Sequence, residues 1–151
     1  ADPLTTLILA KLRQLAESVQ ARSDMQVETR LDGSRGSEPS LLPDAAGHLL
    51  RLTQEALNNA QKHARASHAW VELRVHGHCL SLEIGDNGQG FDPAELRDCA
   101  PSNGAPARRH GLRTMRERAD LLGAELQIWS RPGAGTRVRV EMETEKWLSA
   151  S

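Results

Sequence analysis

The sequence predicts an α+β protein built as a two-layer sandwich, with helices on one face of a mixed, largely antiparallel sheet. Three observations carry this. Apolar residues recur at helical spacing in three separate segments. Elsewhere apolar and polar residues alternate strictly, with short glycine-containing turns between paired runs. Strands and helices occupy separate stretches, in the order α-β-α-β-β-loop-α-β-β, so neighbouring strands can form hairpins while helices cover one face.

Each element has its own signal. From Leu4 to Arg22, residues Leu4, Leu7, Ile8, Leu12, Leu15 and Val19 make one apolar stripe, the mark of a helix. Met25 to Leu31 alternates and reads as a short strand, and Asp32 to Ser40 (DGSRGSEPS) as a loop. A second helix runs from Pro43 to Ala64. Pro43 suits a first turn, and Asp44 suits its positive dipole end. Val71, Leu73 and Val75 alternate with Glu72, Arg74 and His76. Leu80, Leu82 and Ile84 alternate with Ser81 and Glu83, and Gly77-His78 turns between the two runs. Gly85 to Arg109 is rich in Gly, Pro, Asp and Asn, with a short helix expected near Pro93 to Arg97. A third helix covers Gly111 to Leu122, with Leu112, Met115, Ala119 and Leu122 on one face and Gly123 as its stop. Leu126 and Ile128, the turn RPGAG, then Val138, Val140 and Met142 make a last hairpin. Glu72, Arg74, Glu83, Arg137, Arg139 and Glu141 are expected on the open sheet face. No internal repeat is visible.

Composition narrows the function classes. A chain of 151 residues suffices for one domain with a real core. The net charge of −1 supplies no global basic field for nucleic acid. Aromatics are 3%, with no Tyr and one Phe, which leaves few platforms for unpaired bases. No apolar run is long enough to span a membrane, and no signal peptide is visible. Cys79 and Cys99 form no CxxC pair and are expected to be reduced thiols in a cytoplasmic protein. The Ala-Asp-Pro start running straight into helix-like sequence raises the expectation of a fragment of a longer chain.

Four stretches can carry chemistry. In QEALNNAQKHA, Glu55 and Asn59 are four residues apart and share a helix face. Asn58 stacks with Lys62 beside them, and His63 follows. A solvated polar face is the competing reading. GDNGQGF follows a strand and puts Asp86 before Gly88 and Gly90. Glycines let backbone N–H groups approach a ligand, and an ionised Asp accepts hydrogen bonds. A plain turn competes. An EF-hand loop counted from Asp86 fails, because Phe91 and Arg97 stand where Gly and Glu are required. In RRHGLRTMRERA, Gly111 is read as the point where a loop enters a helix whose free N–H groups would suit phosphate. A helix cap competes there. In RPGAGTRVRV, Thr136 follows a tight turn. His76, His78 and Cys79 suggest a metal but lack a fourth ligand. Arg108 and Arg109 are read as solvated loop charges or, alternatively, as phosphate contacts. Trp70, Trp129 and Trp147 could form a recognition surface; the competing reading is that Trp70 and Trp129 cover the sheet.

The series is more specific than its parts. A helix with Glu-x-x-x-Asn, DxGxG after a strand, a Gly-Leu helix start and GxGT in a hairpin together resemble the GHKL superfamily of gyrase, heat-shock, histidine-kinase and MutL-type ATPases. Within it, QEALNNAQKHARA, DNGQGF and HGLRTMRERADLLGAEL look like sensor histidine kinases of the nitrate/nitrite-sensor type, which signal to LuxR-type response regulators. The resemblance covers Leu42 to Met142 and implies a Bergerat-type ATP-binding fold. It implies that Asn59 coordinates the Mg²⁺ of bound ATP, that Glu55 acts as the acidic catalytic residue, and that Lys62 and His63 lie near the phosphates. It implies that Asp86 accepts the adenine amino group, with Gly88 and Gly90 shaping the pocket. Gly111 and Leu112 become the hinge beside the phosphates, Thr136 a hydroxyl near adenine, and Asp92 to His110 a short lid.

The sequence also departs from the family. His110 stands where a second glycine box often has glycine. The six histidines are followed by Leu, Ala, Ala, Gly, Cys and Gly, whereas a phosphoacceptor His is followed by an acidic residue. The expectation is therefore a catalytic domain at 24–145, an N-terminal helix at 1–23 that ends or connects from a dimerisation and phosphoacceptor domain, and a tail at 146–151. A monomeric fragment of a homodimeric kinase is expected, the cytoplasmic part of a membrane-bound sensor, with no nucleic-acid or membrane contact of its own. An anti-sigma-factor-like serine kinase and a non-catalytic nucleotide-sensing module are the alternatives.

Overall fold

The computed structural model describes residues 6–32, 40–41, 43–76, 78–92 and 105–143. Among them the chain order is β1 (Thr6–Leu7), α1 (Ile8–Ala21), β2 (Gln26–Asp32), β3 (Ser40–Leu41), α2 (Pro43–Lys62), β4 (His68–His76), β5 (Cys79–Asp86), α3 (Ala105–Leu122), β6 (Glu125–Ser130) and β7 (Thr136–Glu143). β1 and β3 form a small antiparallel pair that the sequence did not announce. The other strands form a five-stranded sheet in the order β2-β4-β5-β7-β6. β2 runs parallel to β4, and every other neighbouring pair is antiparallel. The expected two-layer α+β sandwich with a mixed sheet is thus the observed fold.

Local chemistry sets the helix ends. Ser23 closes α1 by donating its hydroxyl to the Val19 carbonyl at 2.7 Å, and Gln20 reaches across to accept the Val27 N–H at 2.9 Å. Gly123, at φ 66°, ends α3. That helix begins at Ala105, not at Gly111 as the sequence suggested. Pro106 is tolerated because it falls in the first turn, and Ala105 and Ala107 have high helix propensity. The short helix expected at 93–97 and most of the expected lid lie outside the described residues.

One core joins the layers. Ile8, Leu12 and Val19 of α1, Leu49, Leu52 and Leu57 of α2, and Met115 and Leu122 of α3 pack on the inner sides of β4, β5 and β7. Each such fully buried side chain contributes about 1.5–3 kcal/mol relative to exposure. The outer sheet face carries the expected charges, aligned across the strands: Arg30, Glu72, Glu83 and Arg139 are register partners in sequence. Arg30 pairs with Glu28, Arg74 with Glu72, and Arg139 with Glu83 and Glu141.

Candidate functional site

β5 ends on Asp86, opposite Ala69 of β4 and Thr136 of β7. Strand alternation turns it toward the helices, and it is 8% exposed. The Gly88 N–H donates to its Oδ1 at 2.8 Å, and the Thr136 N–H donates to the same carboxyl. Burial pushes this carboxyl above the ordinary carboxylate range, and the two N–H donors partly offset that push. Its hydrogen-bonding capacity is not exhausted by two donors, and a third can be accepted on the cleft side.

The segment after Asp86 is stitched to the end of α2. Gln89 N–H donates to the Ala64 carbonyl at 2.8 Å. Asn87 Oδ1 accepts from the Ser67 and His68 N–H groups, each at 3.0 Å. A Cβ at Gly88 would lie 2.5 Å from the Ala64 carbonyl oxygen, and one at Gly90 would collide with the Arg131 carbonyl. Gly90 also sits at φ 66°, where a side chain is strained. Ser130 ties the far wall together. Its hydroxyl accepts from the Phe91 N–H at 2.9 Å, donates to the Gly135 carbonyl at 3.0 Å and meets Thr136 Oγ1 at 2.8 Å. Asn87 and Ser130 were missed as site residues. Asn87 was open to notice, since it stands inside DNGQG, but nothing local marks Ser130.

The other half of the site is the junction of α2 and α3. Glu55 and Asn59 lie one turn apart on α2, and α3 passes over them at Gly111. A Cβ at Gly111 would lie 3.2 Å from Asn59 Oδ1 and 3.3 Å from Glu55 Oε2. Gly111 is therefore a close-approach residue in the second turn of α3. The sequence reading of it as a helix start with free N–H groups is corrected, because its N–H falls within the helical ladder. Farther along the seam, Arg118 meets His48 Nδ1 at 3.1 Å.

Asn59, His63, Asp86, Gly90, Leu112 and Thr136 line one cleft, together with Ala56, Ala64, Ile84, Phe91, Met115 and Val138. Glu55 and Gly111 sit beside it at the helix junction, Gly88 behind Ala64, and Lys62 is exposed at the end of α2. The side chains of Arg108 and Arg109 lie outside the described residues. The cleft is mostly apolar and narrow. Apolar walls with a buried acceptor at one end suit a flat heterocycle that carries an amine.

The donors present suit a divalent cation only in part. Asn59 Oδ1 and Glu55 Oε2 both lie close to one point at Gly111, and oxygen donors suit Mg²⁺. Among the described residues no group of three or more His, Cys, Asp or Glu can hold a metal alone. A cation here would complete its shell with phosphate oxygens and water. His76 and Cys79 are register partners but form no such group.

A two-layer sandwich with this cleft between α2, α3 and the β5–β7 ends defines a nucleotide-binding ATPase domain. Residues 44–146 match the family described as histidine kinase-, DNA gyrase B- and HSP90-like ATPases, and the chain belongs to it. Within that family it is similar to sensor kinases. An uncharacterised sensor-like histidine kinase of Chloroflexus aurantiacus is 35% identical over 116 residues, 76% of this chain and 19% of that protein. The sensor protein VraS of Staphylococcus aureus is 38% identical over 99 residues, 66% of this chain and 26% of that protein. The chain thus spans well under a third of the curated relatives it matches. The histidine kinase domain of the Erythrobacter litoralis blue-light activated histidine kinase has the same fold, with a TM-score of 0.69 and 23% identity over 97% of this chain and 66% of that one.

Proposed function

We propose that this domain binds Mg-ATP and passes the γ-phosphate to a histidine on a phosphoacceptor domain outside this sequence. The observation that carries this is Asp86, a buried carboxylate with no ion-pair partner among the described residues, held by backbone N–H groups at the end of an apolar cleft. In this reading Asp86 accepts the adenine amino group, Gly88 and Gly90 shape the pocket by letting their loop pack on Ala64 and Arg131, and Thr136 supports that wall. Asn59 would hold Mg²⁺ through a neutral oxygen, which would leave the ion's charge available to the phosphates. Lys62 and His63 lie at the phosphate end, and Gly111 and Leu112 mark where α3 meets it. The acceptor imidazole nitrogen attacks the γ-phosphorus, the bond to the β-bridging oxygen breaks, ADP departs, and Glu55 accepts the imidazole proton.

The regulator partner is proposed to be of the LuxR type and the parent a sensor of the nitrate/nitrite type, on the strength of QEALNNAQKHARA, DNGQGF and HGLRTMRERADLLGAEL. α1 is proposed to lead from the dimerisation domain of a homodimeric parent; it enters the same core as α2. The catalytic domain is assigned to 24–145. A cytoplasmic setting, where ATP is available, is proposed. No helix among the described residues is long and apolar enough to cross a membrane.

The test supplies this chain with Mg-[γ-³²P]ATP and the phosphoacceptor domain of a relative such as VraS. Acid-labile label on the acceptor histidine is expected, with the chain alone turning over little. Acid-stable phosphoserine would point instead to a serine kinase. Nucleotide binding without transfer to any acceptor would leave a sensing module.

A further inference from the structure

A second concavity, of about 550 Å³, opens at the far end of the sheet beside the β6–β7 turn. It joins the outer face to the strand ends, where Asp86 and Thr136 line both it and the cleft. On the outer face Trp70, Gly85, Arg137 and Trp129 are successive register partners across β4, β5, β7 and β6. The Trp70 ring lies directly over Gly85, where any Cβ would collide with it. Its Nε1–H is fixed on Glu83 Oε2 at 3.2 Å. Arg137 sits 5.4 Å from the centre of the Trp129 ring, and Trp129 is 41% exposed. Two indoles are thus held in place on either side of an arginine.

The charge pattern separates this end from the rest of the same face. Arg30, Arg74 and Arg139 are each paired with carboxylates. Arg131 and Arg137 line the concavity, and among the described residues neither has an ion pair. Elsewhere the face neutralises itself; here two exposed arginines stand against one buried carboxyl, Asp86, beside apolar, planar surface.

We propose that this groove binds a small planar organic anion, an aromatic carboxylate or its sulfonate equivalent. Its ring would lie against Trp129 and Trp70 and its anionic group would meet Arg137 and Arg131. The volume suits a ligand of that size. The groove shares Asp86 and Thr136 with the cleft, but none of these four side chains lines the cleft, so the proposal does not rest on the nucleotide reading.

The test follows the indole N–H signals of Trp70 and Trp129 by NMR in the ¹⁵N-labelled chain, with naphthalene-2-sulfonate as probe and uncharged naphthalene-2-methanol as control. Both signals are expected to shift and saturate, with the sulfonate roughly tenfold tighter than the alcohol. Arg131→Gln combined with Arg137→Gln should remove that preference while circular dichroism shows the fold intact; both side chains are exposed. Absence of saturation, equal affinity for both probes, or an unchanged preference in the double variant would overturn the proposal. So would tighter binding of a tetraglutamate peptide at the same signals, or shifts that depend only on protein concentration. These last two would assign the groove to an acidic partner segment or to a second copy of the chain.

Discussion

Glu83 and Asp86 lie three residues apart on β5 and are buried to the same degree, 9% and 8% exposed. They face opposite sides of the sheet and have opposite surroundings. Glu83 accepts from Trp70 Nε1 at 3.2 Å and faces Arg139 at 3.3 Å. Asp86 has backbone N–H donors, no ion pair among the described residues, and a carboxyl pushed up by burial. The first carboxylate is satisfied within the sheet and ties three strands together. The second is kept unneutralised on a wall where a ligand can supply the missing donor. Equal burial therefore separates a structural acid from a functional one only when the partners are counted.

The largest effect is expected from Asp86→Asn. Asn keeps an Oδ1 for the Gly88 N–H but presents no charged acceptor to the adenine amine. Mg-ADP affinity should fall by roughly 10–100-fold in calorimetry. The same substitution should raise thermal stability at neutral pH. A carboxyl whose folded pKa is raised gives stability that is complete below the ordinary carboxylate range and lost as pH rises through the folded value. The Asn variant's advantage should therefore be full at pH 7 and vanish as pH falls through that range, as melting curves would show. A constant difference at every pH would contradict the desolvation account.

Glu83→Ala should do the reverse. It strands the Trp70 N–H and part of Arg139, so stability should drop by about 1–3 kcal/mol in urea unfolding while nucleotide affinity stays within about twofold. A binding loss as large as that of Asp86→Asn would erase the distinction between the two acids.

Gly111→Ala should act on the metal end alone. Its Cβ would press on Asn59 Oδ1 and Glu55 Oε2. ADP binding with Mg²⁺ should weaken by about 3–10-fold, and binding in EDTA should not change. Equal losses in both conditions would place the damage elsewhere. The smallest effect is expected from Ser130→Ala, which removes one node of the far wall and should weaken ADP by about two- to threefold.

What could be read in the sequence was local. The period-two runs of β4 and β5 and the Pro43-Asp44 start of α2 gave the elements, because side-chain spacing and cap chemistry act over a few residues. The parallel pairing of β2 with β4 and the insertion of β7 between β5 and β6 depend on contacts distant in sequence, and neither left a local mark. The candidate site divides the same way. Asp86, Gly88, Gly90 and Asn59 stood out because their residue types suit a ligand. Gly111 was misread as a helix start, since a glycine required by a neighbouring helix looks the same in sequence as one required by a cap. Ser130 was invisible because its role depends on Phe91 and Thr136 being folded beside it.

The central claim is that Asp86 reads the exocyclic amine of adenine. It is tested most directly by the ratio of affinities for Mg-ADP and Mg-IDP, which differ in carrying an amine or a carbonyl at that position, measured by calorimetry for the native chain and for Asp86→Asn. The native chain should prefer ADP by about tenfold or more, and the variant should bind the two nearly equally. An undiminished preference for ADP in Asp86→Asn would contradict the assignment.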